Sequence, residues 1–171
     1  MKALVVMVRP PQDAGGPAAL AAVVAAARAV PGAIVRVATS PGVEGAVLAE
    51  CGVLPAHVIE TRGETDGDRH RFAIASLFRR GATQVVLVDG GQPRLTSALV
   101  QEALATLDAN PQQVVVGPAS DGRYYLLGLT GPKVPDLFAG VRWGTKYTLM
   151  DTLRRCEFEE RRVTFLDLLD A

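Results

Sequence analysis

The chain has 171 residues, of which 49% are hydrophobic and 21% are charged, and its 18 basic and 18 acidic side chains cancel. This length suits one domain over 1–171, and the composition excludes a disordered or fibrous protein. The neutral charge argues against a nucleic-acid partner, and two cysteines are too few for a disulfide framework. Because no apolar run is long enough to span a membrane, we expect a soluble cytoplasmic protein with no membrane partner. The oligomeric state stays open.

Short apolar runs alternate with helix-length segments along the first two thirds of the chain. Strands are predicted at residues 3–8, 33–38, 57–59, 84–88 and 113–116. Helices are predicted at residues 18–30 and 43–51, in a segment ending at 80, and at 96–108. This alternation predicts an α/β fold with a mostly parallel central sheet and helices on both faces. The last third is predicted to hold a strand at 123–129, a helix at 145–155 and a closing strand at 163–165.

Polar loops follow the predicted strands where a parallel sheet binds its ligands. Such sheets take ligands at the carboxyl ends of their strands, where loops and helix N-termini meet. The loops are residues 9–16, 60–71, 89–93 and 117–122, and most of 60–71 is expected to be loop. These four segments are therefore expected to carry ligand-binding residues.

Asp89 comes directly after an apolar strand and is followed by Gly90 and Gly91. A carboxylate at that position is a natural ligand for Mg²⁺ or Mn²⁺, and two glycines would let a diphosphate approach the backbone. The same three residues could simply form an Asp-Gly turn, which the motif by itself favours.

The segment 117–129 joins turn residues to an aromatic strand. Asp121 is a candidate ligand or base, and Arg123 is a candidate phosphate clamp. Tyr124 and Tyr125 are expected on opposite faces of the strand, so that only one lines a pocket. An Asp-Gly turn leading into a buried strand is an equally good interpretation.

Trp143, the only tryptophan, stands two residues before Thr145, a possible helix cap. It could form the wall of a ligand pocket, although a lone tryptophan more often packs in the core. The sequence has no phosphate-binding P-loop motif, no dinucleotide-binding glycine motif and no serine-hydrolase elbow. The two histidines have no second ligand at metal-binding spacing, so a zinc site is not expected.

Residues 117–129 (GPASDGRYYLLGL) and 137–145 (LFAGVRWGT) together resemble two successive blocks of a bacterial glycosyltransferase-like family of GT-A fold. Some members are assigned to arsenosugar biosynthesis, and the family is related to molybdenum-cofactor nucleotidyltransferases and phospholactate guanylyltransferases. The resemblance extends from about Phe72 to Leu153. It implies a Rossmann-like sheet of the GT-A nucleotide-diphospho-sugar transferase type. It also implies a nucleotide or nucleotide-sugar ligand, with Mg²⁺ or Mn²⁺ as the cofactor.

The chain departs from the family's pattern at charged positions. Gly91 stands where the family carries its metal-ligand Asp, and Asp89 lies two residues earlier. The loop after the first strand has Arg9 but no lysine, and Ser120 replaces a glutamate. Asp170 matches the first Asp of a later family motif, whose second Asp has no counterpart. Because transfer at an anionic donor needs such groups, these departures from the family's pattern imply weakened or lost catalysis.

Two main hypotheses follow. The chain is either a divergent relative that keeps nucleotide or ligand binding, or an active metal-dependent glycosyl- or nucleotidyltransferase with Asp89 as a displaced metal ligand. Asp121 is the expected catalytic residue. The expected substrate-binding residues are Arg9, Gly15, Gly16, Gly90, Gly91, Arg123, Tyr124, Trp143 and Thr145. A purely structural or oligomeric subunit is a third hypothesis, which no residue favours.

Overall fold

The structure is a computed structural model that describes residues 1–10 and 16–171. Within them one sheet contains β1 (Lys2–Val8), β2 (Ala33–Thr39), β3 (Val58–Glu60), β4 (Gln84–Asp89), β5 (Val114–Pro118), β6 (Tyr124–Thr130) and β7 (Val163–Phe165). The helices are α1 (Gly16–Arg28), α2 (Gly45–Glu50), α3 (Asp66–Arg79), α4 (Ser97–Ala109) and α5 (Thr148–Phe158).

The strand order is β3-β2-β1-β4-β6-β5-β7, and β6 runs antiparallel to both of its neighbours. The other pairs are parallel. The α/β class and the mostly parallel sheet are therefore confirmed. The carboxyl ends of β1, β2, β4 and β5 meet at one edge, together with the amino end of β6.

Both faces of the sheet are covered, because successive side chains of each buried strand alternate between two apolar layers. On β1, Leu4 and Val6 pack with α1 and α4, whereas Ala3 and Val5 pack with α3. All four side chains are fully buried. This explains why the strand is a continuous apolar run, and it confirms helices on both faces.

Two of the helix starts that differ from the predicted ones lie in polar segments. The polar segment 60–71 is not mostly loop, because α3 begins at Asp66 under a capping box between Thr65 and Asp68. The helix expected from Thr145 begins at Thr148, after a turn in which the Thr145 hydroxyl accepts a hydrogen bond from the Tyr147 amide.

None of the helices in the described ranges has both the length and the apolar content required to cross a bilayer.

Candidate functional site

The candidate site lies where β1 and β4 end side by side. Their parallel register places Met7 opposite Asp89, so Arg9 and the Gly90–Gly91 pair extend from the same point of the sheet edge. The Gly90 amide donates a hydrogen bond to the Met7 carbonyl at 2.9 Å. A Cβ atom at Gly90 would lie only 2.6 Å from that carbonyl oxygen. The close approach of the two loops therefore requires glycine at this position.

Arg9 lies between two carboxylates. Its Nη2 is 3.5 Å from Asp89 Oδ2, and its Nη1 is 3.6 Å from Asp66 Oδ2. Asp66 also pairs with Arg69, whose Nη1 lies 3.0 Å from Oδ1. Asp66 is the first residue of α3, so the positive end of the helix dipole also stabilises its negative charge. Within the described residues, one cluster of charged side chains thus contains Arg9, Arg69, Asp66 and Asp89, and Asp66 enters it because it lies in α3 and not in the predicted loop.

Both oxygens of Asp89 have partners. Oδ1 accepts a hydrogen bond from the Gly91 amide at 2.9 Å, and Oδ2 faces Arg9. The Asp-Gly turn expected from the motif is therefore present. Among residues 1–10 and 16–171, no three histidine, cysteine or carboxylate side chains come together as a metal-binding group. An Mg²⁺ or Mn²⁺ ion at Asp89 would have to displace Arg9 from Oδ2.

Asp121 and Arg123 pair with each other. Asp121 Oδ1 accepts the Arg123 amide at 3.0 Å, and Oδ2 accepts Arg123 Nε at 2.6 Å. The intervening Gly122 has a φ of +82° and packs against the Lys146 backbone, so the turn is held in place. Asp121, the expected base, and Arg123, the expected phosphate clamp, therefore lie together at the start of β6. Each partly offsets the charge of the other.

Two cavities flank Asp89. The larger, of about 160 Å³, lies between the end of β1, α1 and α2, and apolar side chains dominate its wall. Its lining comprises Met7, Val8, Arg9, Pro10, Gly16, Pro17, Leu20, Val43, Glu44, Val47, Asp89, Gly90 and Gly91. Such a volume is below the range of about 300–1,000 Å³ common for small-molecule sites, so this cavity would enclose only part of a nucleotide.

The smaller cavity, of about 50 Å³, lies on the other side of Asp89 and brings polar groups of both ends of the chain together. It is lined by Arg9, Asp89, Gly91, Gln92, Ala119, Asp121, Arg123, Tyr124, Tyr125 and Ala171. Tyr124 and Tyr125 do pack on opposite sheet faces, as expected. Both nevertheless border this cavity, because it lies at the end of their strand.

Of the two glycines expected to bind substrate after β1, the structure describes one. Gly16 is the first residue of α1, has a φ of +54° and borders the larger cavity. Gly15 lies outside the described residues.

Trp143 packs beneath the start of α3. Its ring lies 5.0 Å from the His70 ring, edge to face, and a Cβ atom at Gly67 would lie 3.0 Å from its indole nitrogen. Burial in this aromatic cluster lowers the pKa of His70 to about 4. Burial also raises the pKa of Tyr124, whose ring lies 6.5 Å from the Trp143 ring. Within the described residues, Trp143 and the exposed Thr145 line neither cavity.

The loop that carries Trp143 is fixed by an ion pair. Arg142 binds both carboxylate oxygens of Asp151 through its guanidinium, each at 2.8 Å, and the same carboxylate accepts the Arg142 amide at 3.0 Å. These hydrogen bonds lower the pKa of Asp151 to about 2. The segment between Phe138 and α5 is therefore tied to the helix that follows it.

Solved structures with the same architecture define the class of the fold. A candidate nucleotide-diphospho-sugar transferase from Desulfovibrio desulfuricans G20 is 25% identical, with a TM-score of 0.80 over 99% of this chain and 80% of that one. A CMP:2-keto-3-deoxy-manno-octonic acid synthetase complexed with CTP is 15% identical, with a TM-score of 0.65 over 99% of this chain and 90% of that one.

A glucosyl-3-phosphoglycerate synthase from Mycobacterium tuberculosis is a third structural relative. It was solved with Mn²⁺, UDP-glucose and phosphoglyceric acid, and is 10% identical, with a TM-score of 0.63 over 100% of this chain and 70% of that one. The fold is thus the GT-A-like fold of nucleotide-diphospho-sugar transferases and nucleotidyltransferases.

Residues 23–145 match the model of a family described as "Uncharacterized protein conserved in bacteria (DUF2064)", and the chain belongs to that family. No curated protein sequence matches the chain significantly.

Proposed function

We propose that the protein binds a nucleotide or nucleotide sugar at the joint carboxyl edge of β1 and β4, with transfer chemistry weakened relative to other GT-A proteins. The observation that carries this proposal is the position of Arg9. Its guanidinium lies at the end of β1, beside the Gly90–Gly91 backbone and 3.5 Å from Asp89. The apolar wall of the larger cavity would receive the nucleoside, and Arg9, turned from Asp89, would donate charged hydrogen bonds to the phosphates.

The ligand class is supported by the fold. Of the similar structures, one holds CTP and another holds UDP-glucose with Mn²⁺. A parallel sheet of this kind presents its loops to ligands at the carboxyl edge, where both cavities lie. Gly16 and Pro17 at the start of α1 border the same cavity. The exposed amides of a helix N-terminus favour an anionic ligand group.

Weakened transfer follows from how the charged side chains are paired. Asp89 faces Arg9, and Asp121 faces Arg123, so a metal ion or a proton would have to compete with a guanidinium for either carboxylate. Loss of one preorganised electrostatic group commonly lowers a rate by about 10²–10³-fold. Arg9 supplies a positive charge next to Asp89, in a place where a divalent cation would otherwise balance a diphosphate. We therefore expect binding that needs no metal and turnover that is very slow.

The test is binding of nucleoside diphosphates and UDP-glucose, measured by calorimetry and thermal shift with EDTA and with Mn²⁺. The proposal predicts binding in EDTA that Mn²⁺ changes little, and no product release above background when sugar donors or nucleoside triphosphates are supplied. Failure of every nucleotide to bind in either condition would contradict it.

The second candidate function is an active metal-dependent glycosyl- or nucleotidyltransferase in which Asp89 binds the cation. One observation favours it: Asp89 borders both cavities and is 23% exposed, so a metal arriving with a donor's phosphates could reach it once Arg9 has moved. Product formation that requires Mn²⁺ and disappears in Asp89→Asn would establish this candidate in place of the first.

A further inference from the structure

The larger cavity has a second polar end, opposite the phosphate end. The strand order places β1 between β2 and β4, so the loops after β2 and β4 lie on opposite sides of Arg9. Two strand spacings separate them, about 10 Å. Gly90 and Gly91 border the cavity on the β4 side, whereas Val43, Glu44 and Val47 border it on the β2 side. A nucleotide with its phosphates at β4 would therefore place its base toward Glu44.

The loop that carries Glu44 is fixed to the end of β1. The Ser40 amide donates a hydrogen bond to the Val8 carbonyl at 3.0 Å. Gly42, with a φ of +90°, brings the loop against Pro10, whose Cγ would be 3.6 Å from a Cβ atom at that position. Glu44 is thus held beside the cavity by the contacts of Ser40 and Gly42 with the end of β1.

The fold does not use the Glu44 carboxylate. Glu44 occupies the N-cap of α2, where Ser, Thr, Asp and Asn are preferred, and its side chain makes no capping bond. Within residues 1–10 and 16–171, no hydrogen bond or ion pair involves its side chain. The other acidic side chain bordering the cavity in this part of the chain, Asp89, is paired with Arg9. Glu44 is therefore the carboxylate available to a base.

From this arrangement we propose that the cavity selects guanine, through two parallel N–H···O bonds from the base to the Glu44 carboxylate. Guanine carries two adjacent donors, N1–H and the 2-amino group, and a carboxylate accepts such a pair in bidentate geometry. Adenine and cytosine each place one donor beside a ring-nitrogen acceptor, and uracil places its single N3–H between two carbonyl oxygens. A carboxylate repels those acceptors, so among these bases only guanine forms hydrogen bonds with both oxygens of the Glu44 carboxylate.

This inference rests on the proposed function and is tested by comparing nucleotides. Calorimetry in EDTA with GDP, IDP, ADP, CDP and UDP measures the selectivity. We expect GDP to bind about tenfold more tightly than ADP, CDP or UDP, because one bidentate base contact discriminates to that extent. IDP keeps N1–H and lacks the 2-amino group, and its affinity should fall between GDP and ADP.

Glu44→Gln should remove the GDP advantage and leave the affinity for ADP within about twofold of the unchanged protein. Glu50→Gln, at the far end of α2, is the matched control and should keep the preference for GDP. Equal affinities, a preference for another base, or a GDP preference that survives Glu44→Gln would overturn the guanine assignment while nucleotide binding stands. If none of the five nucleotides binds, the proposed function itself is wrong, and the base assignment falls with it.

Discussion

The guanidinium of Arg9 lies 3.5 Å from the carboxylate of Asp89, across the seam between β1 and β4. The strand register brings the two residues together, since Met7 and Asp89 are paired neighbours in the sheet. The Arg9 guanidinium therefore lies beside the Asp89 carboxylate at the carboxyl edge of the sheet, where parallel sheets of this kind bind ligands.

Gly90→Ala should disturb both stability and the site. The new methyl group would lie 2.6 Å from the Met7 carbonyl oxygen, and backbone cannot yield as a flexible side chain does. We expect a loss of about 2 kcal/mol in the free energy of unfolding, together with weaker nucleotide binding. Denaturant unfolding and calorimetry measure the two effects.

Gly45→Ala is the control for that substitution. Gly45 begins α2, and a Cβ atom there meets nothing within 4 Å. Its stability should change by less than about 1 kcal/mol, with a gain as the expected direction. Equal effects of the two substitutions would show that the Gly90 contact is not tight.

Trp143→Ala tests whether the tryptophan packs against α3 or also contacts ligand. Because its ring contacts Gly67, Phe138 and His70, we expect a loss of about 3 kcal/mol in the free energy of unfolding. Nucleotide affinity, measured below the unfolding temperature, should stay within about twofold. A large loss of affinity in a folded variant would support the pocket-wall role that the sequence suggested.

The Asp151–Arg142 pair predicts an acid-sensitive contribution to stability. Hydrogen bonds from Arg142 lower the pKa of Asp151 to about 2, below its ordinary value of 3.8. A depressed carboxyl pKa stabilises the folded state above the unfolded pKa, and this stabilisation disappears as the pH falls from about 4 to 2. Asp151→Asn should therefore lower the melting temperature at pH 6 much more than at pH 2.5.

Glu157→Gln, on the exposed side of the same helix, is the control for the acid dependence. It should change the melting temperature little at either pH. If the gap between the unchanged protein and Asp151→Asn is the same at pH 6 and pH 2.5, the pair does not carry this contribution.

The fold could be predicted from the sequence to the extent that local patterns determine it. The continuous apolar runs predicted the strands, and Thr96 was correctly predicted to cap α4, where its hydroxyl accepts the Leu99 amide. The start of α3 was missed because its capping box uses Asp68 where glutamate or glutamine is usual. The Thr65–Asp68 spacing is the signal in the sequence that marks this helix start.

The site was less predictable, because its contacts join residues distant in the sequence. Asp89 and the glycine pair were found from their position after a strand. Their partner Arg9 is 80 residues away, and only the β1–β4 register reveals that pairing. Asp66 reaches the Arg9 guanidinium from a third element, α3. For Trp143 the sequence indicates only an aromatic side chain beside a turn. Charge pairing across strand ends needs tertiary structure, whereas strand and cap signals do not.

The most direct test measures GDP affinity in EDTA for two variants, Asp89→Asn and Arg9→Gln. It distinguishes a phosphate site built on arginine from one built on a metal ion. Asparagine keeps the acceptor for the Gly91 amide and removes the negative charge beside Arg9, so GDP should bind about two- to fivefold more tightly. Arg9→Gln should weaken binding by about tenfold or more, because a charged hydrogen-bond donor is lost. If Asp89→Asn instead abolishes binding, and the unchanged protein binds GDP only with Mn²⁺ present, the aspartate holds a metal and Arg9 does not replace it.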